Sequence, residues 1–139
     1  MRWDDLLTTV AAAAAGDPTL ASIYSDPTAI RAAGTAKHVV PSLEAQLVSD
    51  TKEADIWAPH VIQWDQWVHT IEQLMASERA LARLFDREFD LVPVNFGGTY
   101  FWSEYTDGAE LVANPDRAGY RGRAVRYRMT PIREEYVPS

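Results

Sequence analysis

Two of the three histidines and a nearby aspartate are the residues whose types suit a metal ion. His60, Asp65 and His69 lie close together in the sequence, and two imidazoles with a carboxylate are a common ligand set. Within an extended strand, however, His60 and Asp65 are an odd number of residues apart and point to opposite faces. His60 and His69 are also an odd number of residues apart, so they too would point to opposite faces of a strand. We therefore expect no metal site and no cofactor here, only polar residues near strand ends.

Two further groups suit catalysis or phosphate binding only weakly. Gly97 and Gly98 lack the following helix whose amides would bind an anion, so we expect a tight entry into a strand. Glu104 and Glu110 fall at hairpin positions where both should be solvated. The chain has no cysteine, which excludes thiolate metal sites and cysteine nucleophiles. We predict no catalytic residues, with a small hydrolase-like enzyme using Asp65 and a histidine as the alternative of a different class.

The charge of the chain is strongly segregated. Residues 1–116 hold 7 Lys and Arg against 18 Asp and Glu, whereas residues 117–133 hold six arginines and no acid. The arginines could protect a strand edge, contact nucleic acid beside Tyr120 and Tyr127, or bind carboxylates of a second copy. The acidic remainder disfavours nucleic acid, because phosphate contacts need a basic surface. We favour pairing between copies, with an interface that contains Arg117, Arg121, Arg123, Arg126, Arg128, Trp57, Trp67, Asp107 and Glu110.

The same hypothesis makes predictions for particular residues and loops. Trp57, Trp64 and Trp67 suit core packing or an interface anchor, and both interpretations stay open. Arg123→Glu or Arg126→Glu should weaken assembly and leave the fold intact. The long polar segments Lys52–Pro59 and Asp107–Gly119 are the expected assembly loops.

Length and composition indicate one globular domain over residues 1–133 with a short flexible tail at 134–139. The chain has 139 residues, of which 47% are hydrophobic, and no run of 18 apolar residues that would cross a membrane. Leu6–Ala15 followed by Gly16 superficially resembles a secretion signal, but the residues before such an apolar run should be basic, and here Arg2 is followed by Asp4 and Asp5. We expect a cytoplasmic start and no membrane partner.

Hydrophobic periodicity predicts an α+β fold: one antiparallel sheet of about four to five strands, two main helices on one face, and a long hairpin near the C-terminus. Thr70 and Gln73 form a capping box that opens the second main helix. We expect this helix to bury Ile71, Leu74, Met75, Leu81, Ala82 and Phe85. The predicted elements are helices over 4–15 and 70–87, a short helical turn between Asp17 and Asp26, and strands over 42–50, 60–68, 99–106 and 120–133, the last two joined by the loop 107–119.

Four segments in this order resemble the tail terminator, or tail completion, family of long-tailed non-contractile phages. The opening Asp5-Leu6-Leu7 with Asp17-Pro18-Thr19-Leu20 resembles the family's first helix and its short following segment. Val40–Val48 is similar to its first core strand. His60–Val68 running into Thr70–Asp86 resembles its strand-then-helix unit, and Tyr120–Arg133 its closing strand.

The resemblance implies a structural role without catalysis. Such proteins form a homohexameric ring on the head-proximal end of the tail tube, stop tube polymerisation and present a surface to the neck. The implied partners are further copies of the chain, the tail tube protein and a neck or head-completion protein. Genome DNA would pass through the ring without sequence-specific contact. The implied location is the virion tail, and the host cytoplasm during assembly. A head-closure or head–tail connector protein is the alternative within this class.

Overall fold

The computed structural model describes residues 3–26, 28–33, 41–48, 59–86, 94–96, 99–111 and 119–132. The predicted tail at 134–139 and most of the predicted loop at Lys52–Pro59 lie outside these ranges. The described elements are α1 (Trp3–Ala15), α2 (Pro18–Ile23), β1 (Ile30–Ala32), β2 (Ser42–Leu47), β3 (His60–Val68), α3 (Ile71–Phe85), β4 (Val94–Phe96), β5 (Thr99–Leu111) and β6 (Arg121–Ile132).

The strands of the described residues form one sheet in the order β1-β2-β3-β6-β5-β4. Every neighbouring pair is antiparallel except β1 with β2, which is parallel. The predicted α+β class, with a mostly antiparallel sheet and a long C-terminal hairpin, is therefore confirmed. The sheet is wider than expected because the three-residue strands β1 and β4 extend its two edges. Neither strand is long enough to show an alternating pattern in the sequence.

Strand alternation gives the sheet one helix-covered face and one open face. Residues directly opposite in antiparallel strands share a face, as Trp64 and Val125 do. The face that contains this pair packs against the helices, while the face that contains Gln63 and Arg126 carries none of the described helices. The core on the covered face includes Leu6, Val10 and Ala14 of α1, Leu81 and Phe85 of α3, and Leu43, Ala45, Ile62, Trp64, Phe101, Val125, Tyr127 and Met129 of the sheet.

The first helices follow the sequence signals closely. Asp17 caps α2 by accepting a hydrogen bond from the Leu20 amide at 3.0 Å, and Pro18 occupies the first turn, where its missing N–H is not needed. Just after α2, the Tyr24 hydroxyl lies 2.8 Å from Ser77 Oγ of α3. This buried contact joins the end of α2 to α3. Burial also raises the pKa of the Tyr24 phenol, because it disfavours the charged phenolate.

Helix α3 confirms the capping box and corrects the expected buried stripe. The Thr70 side chain accepts from the Gln73 amide, and Gln73 Oε1 accepts from the Thr70 amide in return. Leu81 and Phe85 are buried as expected, but Ile71 and Met75 are 50% and 51% exposed. The prediction that these two residues are buried was wrong, since apolar spacing does not reveal where a helix extends past its neighbours.

The β5–β6 ribbon is longer than the sequence indicates. Asp107–Leu111 belongs to β5 and pairs with Gly122–Arg126, so the expected loop over 107–119 begins only after Leu111. A register shift lies between Tyr105 and Asp107, which indicates that the Asp107-Gly108 pair accompanies a β-bulge and not a turn. Residues 112–118 of the expected loop lie outside the described ranges. None of the described helices has the length and hydropathy that a membrane span requires.

Candidate subunit interface

The arginines of β6 divide between the two faces of the sheet. Arg123 lies opposite Gln66 on the helix-covered face, and Arg126 lies opposite Gln63 on the open face. Arg128, two residues beyond Arg126, shares the open face, as the alternation in the sequence predicts. Arg117 lies outside the described residues. The ribbon therefore presents cations on both faces of the sheet.

Arg126 belongs to a polar network that crosses four strands of the open face. Its Nε donates to Gln63 Oε1 at 2.9 Å, and its Nη1 donates to Asp107 Oδ2 at 3.1 Å. Gln63 Nε2 in turn donates to Asp65 Oδ1 at 2.7 Å, and Gln46 Nε2 donates to Asp65 Oδ2 at 2.9 Å. The network holds Asp107 and Arg126 to each other within one chain.

Two further arginines of β6 also have carboxylate partners in the same chain. Arg128 forms an ion pair with Glu104 on the neighbouring strand, donating from both Nε and Nη2 to Glu104 Oε1. Arg123 forms an ion pair with Glu78 of α3. Arg121 is exposed, and no ion pair joins it to another described residue. Among the described arginines of β6, Arg121 is therefore the cation best placed to meet a carboxylate of another molecule.

These intramolecular pairs change which substitutions test the predicted interface. The sequence predicts that Arg123→Glu weakens assembly and leaves the fold intact. In the structure, that change would place one glutamate against Glu78, and Arg126→Glu would place another against Asp107. Both variants would disturb the chain itself, because like charges at these distances repel. Pairing of the β6 arginines with a second copy stays a prediction, and Arg121 gives its clearest test.

The aromatic and acidic residues of the predicted interface occupy different surroundings. Trp57 lies outside the described residues. Trp67 is only 6% exposed, and its ring lies over Gly122 of β6, where an added Cβ would be 2.5 Å from the indole. In the folded chain, the Trp67 side chain therefore has little exposed surface that another molecule could contact. Glu110 is exposed on β5.

The residues weighed for chemistry do not converge. His60 lies on the helix-covered face opposite Met129, while Asp65 lies on the open face opposite Ala124, as the strand parity predicts. His69 stacks on Tyr120 with ring centroids 4.6 Å apart. Within the described residues, no group of three or more histidines and carboxylates is arranged to hold a metal ion.

Glu104 and Glu110 are separated in the same way. Glu104 pairs with Arg128 on the open face, and Glu110, beyond the bulge, lies opposite Arg123 of the covered face. They do not form the carboxylate pair that a glycosidase-type reaction needs.

One surface feature was missed by the sequence reasoning. The exposed start of α3 and the far end of the β5–β6 ribbon enclose an open cavity of about 260 Å³. Ile71 and Leu74 line one side, and Leu111, Tyr120 and Arg121 line the other. The signal available in the sequence was the apolar stripe of α3, which continues to the first turn of the helix.

Comparison of the chain with models of known protein families finds no match, and no curated protein is significantly similar to it.

Proposed function

We propose that this chain is a tail terminator: a structural protein whose copies assemble into a ring that caps the head-proximal end of a phage tail tube. The ring stops tube polymerisation and offers its other surface to the neck. The observation that carries the proposal is the separation of charge along the sequence. A ribbon strand rich in arginine lies within a chain whose other residues are strongly acidic.

Segregated charge favours a head-to-tail contact between copies. In such a contact, arginines of one copy meet carboxylates of the next. Arg121 is the described arginine of β6 that is open to this contact, because Arg123, Arg126 and Arg128 pair with Glu78, Asp107 and Glu104 of their own chain. Contacts of this heterologous kind close into a ring when the rotation between copies divides a full turn. The element order that resembles tail terminators supports the same architecture.

A ring of this kind acts through its shape. One surface must match the last ring of tube subunits, and the other must not offer a site for more tube subunits. Polymerisation then stops because the growing end is covered. No reaction is required, and the polar network around Arg126 and Asp65 serves in this account to order the open face of the sheet.

The direct test is tube assembly in the presence of the purified chain. Tail tube protein of the same phage should grow into shorter tubes that carry a ring at one end in negative-stain electron micrographs. An unrelated acidic protein at equal concentration is the control and should change neither length nor ends. Tubes of unchanged length with no bound chain would contradict the proposal. Binding to the portal complex and not to the tube would instead identify a head-closure protein.

A further inference from the structure

The cavity at the start of α3 has the features of a contact surface. Ile71 and Met75, one helical turn apart, are about half exposed, and Leu74 between them lines the cavity. Leu111 and Tyr120 are among the residues that line the other side, so the cavity is bordered on both sides by apolar or aromatic residues. Exposed apolar residues that are grouped into one patch often mark a site of interaction with another molecule.

We call this cavity the groove and define it by Ile71, Leu74, Leu111, Tyr120 and Arg121. The charged residues around the groove determine which chemical groups of a partner can bind in it. Its lining carries Arg121 and Arg123 against Glu110. Arg123 is engaged by Glu78, whereas Arg121 has no ion pair with a described residue. A fitting occupant therefore presents an apolar side chain next to a carboxylate that can receive the Arg121 guanidinium.

The chain itself presents that combination at the opposite end of β5. Trp102 is 36% exposed and lies on the open face, opposite Thr130. Glu104 follows two residues later on the same face. Arg128 binds only its Oε1, and Oε2 accepts no hydrogen bond from a described residue. The Trp102 indole therefore lies near a carboxylate that has one oxygen without a hydrogen bond from the described residues.

The two surfaces cannot meet within one chain. Leu111 is the ninth residue after Trp102 in β5, which corresponds to about 30 Å along a strand. The groove also involves α3, on the covered side of the sheet, whereas Trp102 faces the open side. We infer that the groove of one copy receives Trp102 and Glu104 of a second copy, with Arg121 binding the Glu104 carboxylate. This inference rests on the proposed function, because it identifies the contact that would close the ring.

Cysteine cross-linking tests the contact, since the chain has no cysteine of its own. Met75→Cys places a thiol at the groove rim, and Thr130→Cys places one beside Trp102 without removing it. Under mild oxidation, the two variants mixed should give a disulfide-linked dimer on a non-reducing gel, and neither should do so alone. Thr8→Cys, exposed on α1, is the matched control and should not cross-link to Thr130→Cys.

The outcomes separate this inference from the proposed function. Rings that form without any Met75–Thr130 cross-link overturn the inference and leave the proposed function in place. Cross-linking of Met75→Cys to itself overturns the inference as well, because it indicates a two-fold contact. Failure of the unmodified chain to form rings overturns both.

A charge reversal gives a second readout. Arg121→Glu should weaken self-association about tenfold or more, because it sets two carboxylates against each other. Arg79→Glu makes the same change at an exposed position of α3 outside the groove and should leave association within about twofold of the unmodified chain. Equal effects of the two reversals would show that only net charge matters and would overturn the inference.

Discussion

Among the described glycines, Gly122 is the residue where an added Cβ would come nearest to another atom. A Cβ at this residue would lie 2.5 Å from Cζ3 of Trp67, and the rigid indole cannot move without disturbing its neighbours. Gly122→Ala should therefore lower the free energy of unfolding by about 1–3 kcal/mol in urea denaturation. Gly16→Ala is the matched control, because its nearest atoms would be 3.5 Å away. An equally stable Gly122→Ala variant would show that Trp67 does not pack as described.

Two buried tyrosines predict how stability changes at alkaline pH. Desolvation by burial raises the pKa of both Tyr24 and Tyr127 far above the usual value near 10. Above about pH 10 the unfolded state loses these phenolic protons and the folded state retains them. The free energy of unfolding should therefore be unaffected by these groups at lower pH and should fall as pH rises further, by up to about 1.4 kcal/mol per pH unit for each tyrosine.

Urea denaturation between pH 8 and pH 11 measures this effect. Tyr127→Phe removes one of the two phenols and should reduce their combined contribution to the slope by roughly half. An unchanged slope in this variant would mean that Tyr127 ionises equally well in the folded and unfolded states.

At the scale of elements, the start of α3 depends on its capping box. Thr70 Oγ1 accepts from the Gln73 amide at 3.1 Å and thereby pairs one of the free N–H groups of the first turn. Thr70→Ala should lower the free energy of unfolding by about 1 kcal/mol, and Thr70→Ser should restore most of it. Thr8→Ala, at an exposed position within α1, is the control and should have little effect. Equal losses from Thr70→Ala and Thr70→Ser would argue against capping.

The elements also show what sequence reasoning could and could not predict. Strand β3 was predicted with its observed bounds, because residues 60–68 are rich in strand-favouring valine, isoleucine and tryptophan and place apolar residues on both faces. The N-terminus of α3 was predicted because the capping box is a local signal. Strands β1 and β4 were missed, since three residues carry no period and their pairing is decided by distant partners.

The candidate site was predictable only in part, for a similar reason. The alternation of β6 correctly divided its arginines between two faces. Nothing local indicated that Glu78, Asp107 and Glu104 would neutralise three of them, because these pairs form between elements distant in the chain or joined by the sheet register. The exposure of Ile71 and Met75, and with it the groove, likewise depends on tertiary packing.

At the scale of the whole molecule, the account predicts association that responds to salt. Contacts between acidic and arginine-rich surfaces are screened over about 8 Å at physiological ionic strength and over about 3 Å at 1 M salt. Sedimentation velocity should therefore show a smaller assembled fraction as the salt concentration is raised. Some assembly should remain at high salt, because the apolar contact in the groove is not screened. Association that strengthens steadily with salt would indicate an interface held by apolar burial alone.

Native mass spectrometry of the purified chain shows whether identical copies close into a ring, as we propose. We expect one closed multimer of fixed copy number, six if the resemblance to tail terminators holds, and its fraction should rise with protein concentration. A chain that stays monomeric at every concentration and ionic strength, or that grows into open chains without a preferred copy number, would contradict it.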